Sequence, residues 1–256
     1  MKSILFKLGT ITLYSYGAMM ALGFFLGVIV LRLRSQKMGI PRQKSYDLGI
    51  GMMIGGLMGA RVFYVATHWH TYFHHPLEII MIQKGGLAFY GGLMGGILAI
   101  KIFSYTQNFP FLKIADLVII ALVPAHAIGR IGCFMNGCCF GRPTKMPWAV
   151  NFPQGSLPAL HYGPHHLIHP VQLYEAWLLT FLFWFLLWID QRKTFEGETF
   201  IFYLMLYPVL RFSMEFFRGD NPLIGALSIF QWMSLGTAGF ALIYFYRSKR
   251  DVRRNH

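Results

Sequence analysis

Seven apolar stretches, each at or near the length of a bilayer's hydrocarbon core, leave this chain few ways to fold. They run roughly over Tyr14–Leu33, Leu48–Thr67, Gly86–Tyr105, Ile114–Ile128, Leu173–Ile189, Thr199–Phe217 and Ala226–Tyr246. In hydrocarbon every backbone N–H and C=O must find a partner inside its own segment, so runs of this length fold as transmembrane helices. The fourth run is the shortest and stops at a glycine-rich motif. The first is longer than a signal-peptide core and no small-residue cleavage site follows it, so it reads as a retained helix. The expected fold is an all-α polytopic membrane protein of about seven transmembrane helices, a single integral membrane domain over residues 1–256.

Composition agrees with that reading. The chain is 55% hydrophobic and 13% charged, with 24 Phe and 13 Tyr and a mean hydropathy of +0.47, outside the usage of soluble domains. A formal charge of +13 would suggest nucleic acid in a soluble protein, but here the basic residues punctuate apolar spans and read as topology signals, so no nucleic-acid partner is expected. Arg32, Arg34, Lys37, Arg42 and Lys44 follow the first span, and Lys101 and Lys113 the third. Arg192 and Lys193 follow the fifth, and Arg247, Lys249, Arg250, Arg253 and Arg254 form the tail. These fourteen of the 23 basic residues fall on one side of a seven-span chain. Positive loops stay cytoplasmic, which puts the N-terminus outside and the C-terminus in the cytoplasm. The second loop, from His68 to Gly85, has the single lysine Lys84, and the long fourth loop, at about 130–171, has few charges and many Gly, Pro and His. Both are expected on the outer face.

Several polar groups are costly where they stand. Arg61 and Arg211 lie within expected spans, and Arg130 and Arg218 at their outer ends. An arginine at mid-span costs about 2.5–3.5 kcal/mol on insertion scales, less near an end. In Arg211, Glu215 and Arg218 the charges stand four and three apart on one helical stripe, so Glu215 can pair with either arginine. Two arginines per carboxylate leave a positive charge that an anion completes, and at the membrane's outer edge that anion is a lipid phosphate. The alternative is an internal ion-pair ladder that only holds helices together. Arg61, after Gly55, Gly56 and Gly59, is expected to cap carbonyls or join a polar core. The glycines from Gly85 to Gly96 suit close helix packing, and Tyr90 among them is either an accessible hydroxyl at membrane depth or an interfacial anchor. His169, Gln172, Tyr174 and Glu175 open the fifth span, as a helix cap in a lipid–water belt or as lining of the same outer site.

The stretch from Gly129 to Arg142 holds all three cysteines, Cys133, Cys138 and Cys139. Their spacing lacks the paired Cys-x2-Cys of common structural zinc sites, so no metal is expected. An outward loop meets an oxidising compartment, which leaves two readings open: a disulfide from Cys133 to Cys138 or Cys139, or three small buried thiols. A catalytic dithiol is less favoured, since there is no Cys-x-x-Cys.

Together these motifs resemble the prolipoprotein diacylglyceryl transferase family. The resemblance covers Tyr16-Gly17, Gly59-Ala60-Arg61, the run from Gly85 to Gly92, Gly129 to Gly132 through Asn136 and Gly141, His169 to Glu175, and Arg211 to Arg218. It implies an enzyme of the bacterial cytoplasmic (inner) membrane, with its active site toward the outer face. Such an enzyme moves the diacylglyceryl group of phosphatidylglycerol to the lipobox cysteine thiol of a prolipoprotein's signal-peptide segment, forms a thioether, releases glycerol phosphate and needs no cofactor. The resemblance makes Arg130 and Arg211 candidates for gripping the phosphate and leaving group. Tyr90 or a neighbour would assist thiol deprotonation, while Glu215 and Arg218 orient the arginine pair. Asn136, Tyr16, Arg61, His169 and Gln172 would shape the phosphatidylglycerol pocket. The sequence departs from the family where Cys133 stands for a common asparagine and Cys138 for a common acid, and Tyr90 takes a position that is often histidine. The competing readings are a membrane thiol–disulfide oxidoreductase built on the three cysteines and a lipid-binding transporter.

Overall fold

The computed structural model describes residues 4–8, 11–73, 76–81 and 85–254; Lys84 of the second loop lies outside them. A hairpin of β1 (Ile4–Leu8) and β2 (Ile11–Tyr14) leads into α1 (Ser15–Lys37). There follow α2 (Arg42–Thr67), α3 (Trp69–Phe73), a 3-10 turn over Pro76–Ile80, α4 (Phe89–Thr106) and α5 (Phe111–Asn136). The next connection carries β3 (Val150–Asn151), α6 (Leu157–Tyr162) and β4 (Leu167–Ile168). Then come α7 (Val171–Asp190), α8 (Glu198–Glu215), the hairpin of β5 (Leu223–Ile224) and β6 (Leu227–Ser228), and α9 (Ile229–Arg254).

Each expected span falls on a long helix, and α1, α2, α5 and α7 are long and apolar enough to cross a membrane. Their outer faces are suited to lipid. On α7, Trp177, Phe181 and Trp184 recur at helical spacing and are 65%, 64% and 64% exposed, a stripe of a kind that soluble proteins bury. The boundary of the fourth span differs from expectation: α5 continues past Ile128 to Asn136. Gly129 and Gly132 do not break it, because Ile131, Phe134 and Met135 prolong the apolar run and the bare Gly132 lets α1 approach closely. A Cβ there would meet the Cβ of Met19 at 2.9 Å.

The chain divides into two compact units, one of Leu31–Leu117 and one of Met1–Val30 with Val118–His256. In the Leu31–Leu117 unit, α2 and α4 cross through two small-residue pairs. A Cβ on Gly59 would run into the Gly91 carbonyl oxygen, and one on Gly95 into that of Gly55, so each helix presents a glycine-xxx-glycine face to the other. The packing expected of these glycines is what they do. Beside this crossing the backbone N–H of Ala88 donates to the Ala60 carbonyl at 3.0 Å, just before Arg61.

The other unit has its core where α5, α7 and α8 meet. Val123, Ala127, Leu179, Leu182 and Leu186 are buried there, with Phe183, Phe202, Tyr203, Leu206, Tyr207 and Leu210 packed around them. The chain after α5 is pinned to this bundle by backbone hydrogen bonds on both of its edges. Arg142 N–H donates to Phe217 O (2.8 Å) and Gly219 N–H to Phe140 O (3.2 Å), while His169 N–H donates to Arg142 O (3.1 Å) and Thr144 N–H to Leu167 O (2.9 Å). Residues 140–144 thus run as a central thread between the segment before α7 and the segment after α8. Only glycine fits at 141, since a Cβ would meet the His169 carbonyl oxygen at 2.5 Å.

Candidate functional site

Three guanidiniums, Arg211 and Arg218 buried and Arg130 half-buried, outline the candidate site in the larger unit. Arg130, on α5, donates from Nε to His126 Nε2 at 3.2 Å and pairs through a terminal nitrogen with Glu175 Oε1 at 2.8 Å. The contact to His126 spans one helical turn and places the imidazole proton on Nδ1. Glu175 comes from the second turn of α7 and is 2% exposed. Arg211, on α8, pairs with Glu215 one turn later at 2.7 Å and stacks its guanidinium over the Phe230 ring of α9 at 4.9 Å. Asn221 Nδ2 donates to the other oxygen of Glu215 at 2.6 Å. Arg218, just past α8, grips Asp220 with two parallel hydrogen bonds of 2.9 Å. Such bidentate pairs are the strong form of the contact.

His126 and Tyr207 both lie within electrostatic reach of Arg130 and Arg211, so the two arginine–carboxylate pairs belong to one cluster. The charge count differs from expectation. The sequence suggested two arginines sharing Glu215; the fold brings Glu175 from α7 and Asp220 from the next turn, so Arg130, Arg211 and Arg218 each have a carboxylate. Burying three unpaired guanidiniums would cost several kcal/mol each, and pairing is how the fold meets that cost. The remaining positive charge is the exposed Arg142, whose Nε donates to Arg218 O at 2.9 Å. A guanidinium has five N–H donors, and the contacts made by the described residues occupy only part of those on Arg130 and Arg211.

The remaining residues expected at the site divide between the two units. Gln172, 1% exposed, donates from Nε2 to Cys138 O at 2.7 Å and ties the start of α7 to the end of α5. His169 meets the Tyr174 hydroxyl at 3.1 Å, which also accepts from Trp148 Nε1 at 2.6 Å. Asn136 is exposed at the end of α5, two residues before Cys138, and the ring of Tyr16 lies 3.5 Å from where a Cβ on Gly132 would stand. Tyr90 and Arg61 belong to the Leu31–Leu117 unit. Tyr90 is exposed in the first turn of α4 with its ring against Phe89. Arg61 caps carbonyls, one of the two roles expected of it: Nε donates to Ile79 O (2.8 Å), one terminal nitrogen to Gly85 O (2.6 Å) and Gly86 O (2.9 Å), the other to Glu78 O (2.5 Å). Glu175 as the partner of Arg130, together with His126, Tyr207, Asp220 and Asn221, was not in the expected set. His126 carried a signal, lying one turn before Arg130.

All three cysteines are free thiols, which decides against the disulfide. Cys139 lies outside the helices and is held below the ordinary thiol range by hydrogen bonds from Cys133 and Cys138, then by Arg218 and Arg130. Burial pushes the Asp220 carboxyl up despite its arginine.

Long apolar helices with arginine–carboxylate pairs packed among them define a polytopic membrane protein. The profile of the prolipoprotein diacylglyceryl transferase family matches residues 3–247. A phosphatidylglycerol–prolipoprotein diacylglyceryl transferase from Clostridium tetani is 34% identical over 96% of this chain and 97% of its own length. Proteins of the same name from Clostridioides difficile and Thermosynechococcus vestitus are 34% and 33% identical, covering 98% and 93% of this chain and 97% and 91% of their own lengths. The chain belongs to the prolipoprotein diacylglyceryl transferase family.

Proposed function

We propose that this protein transfers the diacylglyceryl group of phosphatidylglycerol to the lipobox cysteine of prolipoproteins in the bacterial cytoplasmic membrane. The observation that carries the reading is the cluster in which Arg130 and Arg211, each paired with a carboxylate, share His126 and Tyr207 as neighbours. In the transfer, the thiol sulfur attacks the glyceryl carbon bound to the phosphate oxygen, that carbon–oxygen bond breaks, and its electron pair leaves with glycerol phosphate. The thiol proton passes to a base, and a thioether remains. Two demands fall on the protein: to hold the phosphodiester and to stabilise the charge growing on its oxygen.

Arg130 and Arg211 are suited to both, since the N–H groups that the described residues leave unoccupied can donate to phosphate oxygens while Glu175 and Glu215 hold the planes of the guanidiniums. Arg218 and Arg142 extend the positive edge, and Gln172, His169, Asn136 and Tyr16 line it. Tyr90 or a neighbour assists thiol deprotonation, and Arg61 fixes the segment that it caps between α3 and α4. In this reading the chain is a single integral membrane domain crossing seven times, with its N-terminus outside, its C-terminus in the cytoplasm and the 130–171 segment at the outer face. The thiol–disulfide and transporter readings are not favoured, because relatives matching nearly the full length are named as transferases.

The test is direct. Membranes containing the protein, supplied with labelled phosphatidylglycerol and a lipobox peptide, should yield a peptide carrying diacylglyceryl on cysteine, and none when that cysteine is serine. Unmodified peptide throughout would refute the activity. Reporter fusions within 143–166 that report a cytoplasmic location would refute the placement.

A further inference from the structure

Cys133, Cys138 and Cys139 are the only cysteines in the chain, and the fold gathers them at one point. Their convergence follows from how α5 ends. Gly137 adopts φ +77°, and its N–H donates to Phe134 O at 3.3 Å while that of Cys138 donates to Cys133 O at 3.2 Å. This is a Schellman C-cap, a geometry that sets the residue after the glycine against the one five positions earlier. Here that contact joins Cys138 to Cys133, and the Cys138 Sγ lies 3.7 Å from the Cys133 carbonyl oxygen. Cys139 then turns back with φ +59°, a left-handed conformation that non-glycine residues seldom take. All three Sγ atoms lie within 4.8 Å of one another.

We propose that Cys133, Cys138 and Cys139 form a three-thiolate site for a soft divalent metal ion of the zinc type. Thiolates bind zinc at about 2.3 Å, so three of them on one ion stand roughly 3.8–4.0 Å apart, inside the 4.8 Å that bounds the separation of these sulfurs. All-sulfur donors select zinc-like ions over magnesium or calcium. Charge also fits. Three thiolates around a divalent ion carry one net negative charge, and the Arg218 guanidinium stands within electrostatic reach of Cys139 to receive it. Gln172, donating to the Cys138 carbonyl at 2.7 Å, supplies an outer hydrogen bond of the kind that orients metal ligands. Three protein ligands leave a fourth position to water or another thiolate. The spacing along the sequence, which lacks a Cys-x2-Cys pair, conceals a cluster that the helix cap creates in space.

The experiment uses the full-length protein in detergent, reduced with a phosphine, stripped with a chelator, and titrated with Cd2+ alone while thiolate-to-metal charge-transfer absorption is followed. The site predicts saturation at one ion per chain and displacement by Zn2+. Cys133→Ser, Cys138→Ser and Cys139→Ser should each weaken binding by more than the roughly 10–100-fold typical of an outer-shell change. A second readout needs no variant: Zn2+ should protect all three thiols of the wild-type protein from N-ethylmaleimide, counted by mass spectrometry. Absence of a saturating band, a band that survives replacement of all three cysteines, or equal alkylation with and without Zn2+ would each overturn the proposal. None of these readouts depends on diacylglyceryl transfer, so the site and the activity stand or fall separately.

Discussion

Arg61 and Arg130 are both arginines on apolar helices, yet the two units house them in opposite ways. Around Arg61 the donors go to backbone carbonyls at Glu78, Ile79, Gly85 and Gly86. Such carbonyls carry no net charge, so among the described residues the guanidinium is held by their dipoles and by the face of the Tyr72 ring 5.2 Å away, and its fork is filled. The result is a brace that fixes the chain between α3 and α4. Around Arg130 the partners are an imidazole and a carboxylate, and Arg211 likewise sits on a carboxylate and an aromatic face. Ion pairs hold the charge in place, and the contacts made by the described residues leave part of each fork open. A buried arginine is therefore informative about function only once its partners are known: carbonyl oxygens take up the N–H groups of Arg61, whereas carboxylates pair with Arg130 and Arg211.

The comparison can be broken by substitution. The largest expected effect on stability comes from Glu175→Ala, which strands the Arg130 guanidinium and should cost about 3–5 kcal/mol, read as a loss of folded protein on heating in detergent. A variant as stable as wild type would show that Arg130 does not depend on this pair. Next comes Arg61→Ala, which leaves several carbonyls unsatisfied and should cost about 2–4 kcal/mol. The thermal midpoint should fall, while transfer per folded molecule drops far less than for changes at Arg130; equal losses in both would erase the distinction between brace and site. Asp220→Ala removes the bidentate partner of Arg218 and should destabilise by about 1.5–3 kcal/mol, with a weaker apparent affinity for phosphatidylglycerol in the transfer assay. The smallest change is Asn221→Ala, which deletes one hydrogen bond to Glu215 and should cost about 1 kcal/mol. Wild-type stability there would mean that Glu215 is held by Arg211 alone.

Much of this arrangement was legible beforehand, and what was not has a physical reason. Runs of apolar residues announced the long helices because length and hydropathy are local properties. The Arg211–Glu215 pair was legible because a spacing of four places both on one helical face. Glu175 was not recognised as the partner of Arg130, because the two lie on different helices and sequence spacing carries no information about which faces meet. The end of α5 was misplaced because glycine reads as a breaker in isolation, whereas in a packed bundle Gly132 serves close approach. Arg61 gave away its role but not its partners, since the carbonyls that it caps come from a loop. The cysteines gave the opposite impression to their geometry: their spacing argued against a cluster, and the left-handed turn at Gly137 makes one.

Arg130 and Arg211 are the residues proposed to hold the lipid phosphate. The most direct test of that role measures transfer of labelled diacylglyceryl from phosphatidylglycerol to a lipobox peptide in membranes carrying Arg130→Ala, Arg211→Ala or Arg61→Ala at matched protein levels. Loss of a charge-stabilising group predicts a fall of about a hundredfold or more for each of the first two, with Arg61→Ala well above them. Full activity in both Arg130→Ala and Arg211→Ala would contradict it.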